Sequence, residues 1–182
     1  MSDGASNGAH GVIELASPIK DTSGKQIKKL NVRELFLRDR AAAQRKHPSS
    51  PTQQTVHLLA TQTDLDADTV MRLKTRDARK LKQWASALAT ADDHIEADAS
   101  EHTFELLVPV LTDSDPITEI RVREPDLGAA IASEKLEHEA EQIAAMIASL
   151  SDQTIQIVMR MADRDVDRIE AYLTPFLVMP EE

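Results

Sequence analysis

No cysteine occurs in the 182 residues. Disulfides and thiolate metal sites are therefore excluded, and the chain is compatible with a reducing compartment. Aromatics make up only 3% of the chain: Phe36, Trp84, Phe104, Tyr172 and Phe176. A core must be built from Leu, Ile, Val, Ala and Met. No apolar run approaches the roughly 20 residues that span a bilayer, so no membrane partner is expected. With five glycines there is no GxGxxG, no phosphate loop ending in Gly-Lys-Ser/Thr and no GxSxG. The six histidines, His10, His47, His57, His94, His102 and His138, lack the close spacing of a helical metal site, and "HEAE" at 138–141 is not HExxH. No catalytic, cofactor-binding or metal-binding residue is expected, and no enzymatic activity.

What is present is a repetition. "VMRLKTRD" at 70–77 returns as "VMRMADRD" at 158–165, five of eight positions being identical. The match extends collinearly. "LLATQTD" (58–64) lies over "MIASLSD" (146–152), and Leu81, Trp84 and Leu88 lie over Ile169, Tyr172 and Phe176, all at an offset of 88. "IELASPI" (13–19) lies over "FELLVPV" (104–110) at 91, and "IKKLNVRE" (27–34) over "ITEIRVRE" (117–124) at 90. A period near 90 exceeds that of solenoid units and marks a duplicated domain. The expected organisation is a disordered tail at 1–10, a first unit at 11–89, an acidic linker at 90–101, a second unit at 102–178 and a short tail at 179–182.

Charge divides along the same line. Residues 11–90 hold 15 Lys/Arg against 8 Asp/Glu, and residues 91–182 hold 6 against 22. Balances of +7 and −16 make contact between the units, within a chain or between chains, an expectation. Nucleic acid is the other partner a basic half suggests. "KQIKKLNVR" and "RDARKLK" could neutralise phosphates, but no aromatic interleaves the basic hairpin, and nucleic acid is not the favoured partner.

Each unit opens with period-two patterning: Phe104, Leu106, Val108 and Val110 in one copy, Ile13, Leu15 and Ile19 in the other, with Ser17 as the exception. Turn chemistry follows in "DTSGKQ" and "TDSDP", then a second strand directing Leu30 and Val32, or Ile120 and Val122, inward. Helices come next. Pro125 suits a first helical position. Residues 136–150 carry Ile143, Met146, Ile147 and Leu150 at helical spacing, and "HPSSP" (47–51) breaks the first copy into two helices. The last helix is expected to start after Thr75 or Asp163 as N-caps, with a stripe of Ala78, Leu81, Trp84 and Leu88, or Val166, Ile169, Tyr172 and Phe176. The fold class is thus α+β: two tandem copies of a small β-hairpin-plus-helices unit, predominantly helical. "VMRxxxRD" reads as a corner between helices kept for folding, with Asp77 or Asp165 placed to suit the helix dipole.

The order of "VREPDLG" (122–128), "ASLSDQTIQIV" (148–158) and "ADRDVDRIEAYL" (162–173) resembles the tail assembly chaperones of contractile-tailed, Mu-like bacteriophages. The first copy departs from the pattern: Leu35 replaces the proline and "LFLRD" the glycine-containing segment. The resemblance implies a non-catalytic chaperone in the host cytoplasm, absent from the mature virion. It would bind the tape measure protein and assist tail tube assembly. A nucleic-acid-binding regulator and a small structural tail adaptor are the alternatives. Leu173, Phe176, Leu177 and Val178, near the end of the last helix, are the candidate client-binding residues, against the competing reading that they are core.

Overall fold

A computed structural model describes residues 10–87, 100–126, 128, 129, 131 and 135–177. The first unit begins with an antiparallel hairpin, β1 (His10–Lys20) and β2 (Gln26–Arg33), followed by α1 (Leu37–Lys46), α2 (Pro51–Thr63), α3 (Ala67–Val70) and α4 (Thr75–Ala87). The second begins with the hairpin β3 (Glu101–Val110) and β4 (Ile117–Arg123), then α5 (Glu139–Ser151), α6 (Ile155–Val158) and α7 (Asp163–Leu177). From α2 onward the starts of the elements differ by 88, the offset that the sequence showed.

The hairpins match in register as well as in position. Ile13 faces Leu30 and Phe104 faces Ile120, and both first strands shift register farther on, between Glu14 and Ile19 and between Glu105 and Val110. Such an irregularity leaves backbone groups without ladder partners. The inward positions are those of the period-two pattern: Leu15, Ile19, Leu30 and Val32 are buried in one unit, and Phe104, Leu106, Val108, Val110, Ile120 and Val122 in the other. Gly24, at φ 87, closes the first turn with a backbone conformation that favours glycine.

Asp64 and Asp152 end α2 and α5 in the left-handed conformation, at φ 54 and 55. Aspartate tolerates this region better than most side chains. Pro51 opens α2 behind Ser50, whose hydroxyl accepts the Gln53 N–H.

Several helix starts differ from expectation. Pro125 precedes the helical turn that contains Gly128 and Ala129; Asp126 caps it, accepting the Ala129 N–H at 2.7 Å. The next helix begins at Glu139, not 136. The first turns of α4 and α7 end on the carbonyls of Lys74 and Ala162, so Thr75 and Asp163 are first helical residues and not caps. His10 and Glu101, assigned to tail and linker, already lie in strands. The remainder of those segments, residues 1–9, 90–99 and 179–182, and Leu88 and Val178 lie outside the described residues.

The largest departure concerns the core. Leu37 and Ala41 of α1, both fully buried, belong to the second unit's cluster with Phe104, Ile147 and Tyr172. The first unit's own cluster is smaller, built on Leu15, Ile19, Leu30, Val32, Leu59, Val70 and Leu81. One helix of the first unit thus completes the core of the second.

Candidate interaction surfaces

The repeated motif clamps each hairpin at its irregular point. Asp77 is fully buried, and its Oδ1 accepts the Ala16 N–H at 3.0 Å. Asp165, 88 positions on, accepts the N–H of Leu107 at 3.0 Å and of Val108 at 3.2 Å. Ala16 and Leu107 are equivalent positions inside the register shift, where the ladder leaves donors unpaired. Burial pushes the Asp165 carboxyl up; the two N–H groups and Arg168 oppose it. One turn on, Lys80 donates to the Glu14 carbonyl at 3.3 Å and Arg168 to the Glu105 carbonyl at 2.9 Å. The Arg of "VMR" holds the strand's exit. Arg72 donates to the Lys20 carbonyl at 2.9 Å, and Arg160 to that of Leu111. From β2 and β4, Arg33 and Arg123 reach the last carbonyls of α2 and α5, at Thr61 and Ser149. The motif ties strand to helix at this corner, and its Asp caps strand backbone as well as standing in a helix's first turn.

The second Arg of the motif diverges between copies. Arg76 donates to Ser17 Oγ of its own hairpin at 2.9 Å. Arg164 crosses to Glu34 of the other unit at 3.0 Å, both side chains being buried. This crossing is part of a continuous seam. The Leu37 N–H donates to the Met161 carbonyl and the Asp163 N–H to that of Leu35, at 3.1 and 2.9 Å, around an antiparallel bridge between Phe36 and Ala162. Arg40 pairs with Asp163 and Glu170 at 2.8 Å each, and with Asp167. Burial would depress the Arg40 guanidinium, but Asp163 and Asp167 hold it above its ordinary value. At the far end of α1, Arg45 pairs with Glu141 at 3.3 Å, and Gln44 accepts the Ala140 N–H at 2.9 Å. Part of the first unit's positive charge therefore faces the acidic unit.

The candidate client-binding residues do not share one surface. Leu173 is buried core, because helical spacing turns it inward with Ile169 and Tyr172. Phe176 is half-buried, its ring 5.3 Å from that of Tyr172. Leu177 is 40% exposed. Periodicity alone missed a second surface. A groove of about 460 Å³ runs along α2 and α3 of the first unit, lined by Val56, Ala60, Leu65, Ala67 and the exposed Met71, with Lys46 and His47 at its rim. The counterparts of Val56 and Ala60 in α5 are Ala144 and Ala148, both buried in the second unit's cluster with α1.

Among the described residues no group of His, Asp or Glu could hold a metal ion, and no helix is long and apolar enough to cross a membrane. The described residues thus form twin hairpin-and-helix modules, joined by a shared helix and clamped by a repeated motif. The family model described as phage tail assembly chaperone proteins, E, or 41 or 14, matches residues 12–89 and again 103–178, and the chain belongs to that family, as a tandem duplication. No curated protein and no solved structure matches the chain.

Proposed function

We propose that the protein is a non-catalytic tail assembly chaperone that binds the tape measure protein and assists assembly of the tail tube around it. It would act in the host cytoplasm and be absent from the finished virion. One observation carries the reading beyond family membership: the unit receives a helix from outside itself. Leu37 and Ala41 of α1 are fully buried against the second unit, and a like contact with an amphipathic client helix is the reading this packing supports. The patch we assign to the client is the C-terminal turn of α7, where Phe176 is half-buried and Leu177 exposed beside it.

Co-expression with the tape measure protein tests this. The wild-type chain should keep the client soluble and co-purify with it, and Leu177→Asp should weaken the complex while leaving the chaperone folded. Equal client solubility without the chaperone, with no complex recovered, ends the reading. Recovery of the chain from mature particles at tube-like copy number makes it a structural tail protein instead.

A further inference from the structure

The duplication supplies a test of completeness: what covers a surface in one unit can be sought on its counterpart in the other. In the second unit, the face formed by Ala144, Ala148 and the corner at Met159 to Asp163 receives residues 34–45 of the first. The counterpart face of the first unit is the open groove of Val56, Ala60 and Met71, continued by the corner at Leu73 to Arg76. We propose that this groove is filled by the second unit of another copy of the chain, through Glu124, Pro125, Asp126 and Ile131, so that copies associate head to tail.

Four observations fit those residues to that groove. Glu124 stands where Glu34 stands, at the end of the second strand, and it is exposed. The buried partner of Glu34 is Arg164, whose counterpart, Arg76, is exposed in the first unit and reaches only as far as Ser17 among the contacts described. An intermolecular Glu124–Arg76 pair would repeat the pair already made within the chain.

The backbone also corresponds. Phe36 and Asp126, 90 positions apart, both cap the helical turn that follows. The bridge to the second unit uses the carbonyl of Leu35 and the N–H of Leu37. Pro125 stands in place of Leu35 and keeps the carbonyl; the N–H that proline lacks is not one the bridge uses.

The apolar knob is present. Ala41, one of the fully buried residues of α1, corresponds to Ile131, which lies on a helical turn and is 58% exposed. A larger knob suits a groove that is open by about 460 Å³. Charge agrees. Asp163 and Asp167 are replaced in the first unit by Thr75 and Arg79, and the incoming segment carries Glu124 and Asp126 where the first unit carries Glu34 and Phe36. The basic corner therefore meets an acidic segment. Because the two surfaces are different patches of one chain, the contact is heterologous and generates a closed ring or an open filament.

Sedimentation velocity of the full chain at low salt tests the proposal. The wild type should self-associate with rising concentration, and added salt should weaken the association. Ile131→Asp and Arg76→Glu change exposed residues, so both chains should fold, and each should raise the dissociation constant by at least about tenfold. Glu124→Lys should do the same. In a mixture of the Arg76→Glu and Glu124→Lys chains both contacts between unlike chains bring opposite charges together, so the mixture should associate again in alternation, where either chain alone is a monomer. A wild type that stays monomeric at ~500 µM, or that associates equally well with Ile131→Asp, overturns the proposal. So does a Val56→Arg variant that loses tape measure binding while self-association is unchanged, which would assign the groove to a client helix.

Discussion

Arg164 Nη2 lies 3.0 Å from Glu34 Oε2 across the seam between the two units, and both side chains are buried. A charge pair withdrawn from water contributes little against an apolar pair of the same shape, but removing one partner strands the other. Glu34→Ala should therefore destabilise the full chain by roughly 3–5 kcal/mol. Replacing both residues, as Glu34→Leu with Arg164→Met, should recover most of that loss. Denaturant unfolding of the three variants measures it; equal losses in the single and the double variant would show that the pair is not an isolated unit.

The clamp aspartates should differ in weight. Asp165 accepts from two strand N–H groups and faces Arg168 at 2.8 Å, whereas Asp77 accepts from the Ala16 N–H and faces Lys80 at 3.7 Å. Leaving a buried donor unsatisfied costs about 1–3 kcal/mol. Asp165→Ala should thus cost ~3 kcal/mol or more, and Asp77→Ala nearer to 1–2 kcal/mol. Hydrogen exchange gives a local reading: the amides of Leu107 and Val108 should lose protection in the first variant, and that of Ala16 in the second.

Trp84 and Gly11 form a matched pair. A Cβ at position 11 would stand 2.6 Å from Trp84 Nε1. In the second unit the smaller Tyr172 takes the tryptophan's place and His102 the glycine's, with ring centroids 5.7 Å apart. Bulk has been exchanged between strand and helix at equivalent places. Gly11→Ala should cost ~1–3 kcal/mol by overpacking, and Trp84→Tyr in the same chain should relieve most of it. The single tryptophan makes its fluorescence a direct report on the displacement.

The hairpins, the helix stripe and the equivalence of the copies were legible because period and collinearity are local properties that the two copies check against each other. Leu81, Ile169 and Tyr172 are buried where the stripe placed them. The docking of α1 was not legible. Leu37 and Ala41 look like any apolar pair on a short helix, and nothing local states that their partner lies more than 100 residues away. The charge halves hinted at contact but could not choose Arg40. The role of Asp77 and Asp165 was hidden for a related reason: their position suits a helix dipole, and the strand irregularity they cap appears only once register is known. Leu173 stays open between client residue and core in the sequence because a stripe's edge and its centre look alike there; the structure puts it in the core.

Asp163 gives the seam a pH dependence whose sign follows from its surroundings. Burial pushes its carboxyl above the ordinary value of 3.8; Arg40 opposes the rise, while Asp167 and Glu170 add like charge to it. One guanidinium serves three acids, so the ionised form of Asp163 is disfavoured by folding. A raised folded value means that the folded chain binds the proton before the unfolded chain does. The contribution of this group is complete below the unfolded value and is lost as pH rises through the folded one. Between neutrality and 3.8, acidification should therefore favour folding at this site, contrary to the usual behaviour of a paired aspartate. Asp163→Asn removes the titration and should flatten that part of the stability profile, while Asp167 and Glu170 still hold Arg40. Urea midpoints for the wild type and the variant, taken at several pH values across the interval, supply the check. A variant that gains stability relative to the wild type as the pH falls would show that pairing with Arg40 outweighs burial, and the sign would be reversed.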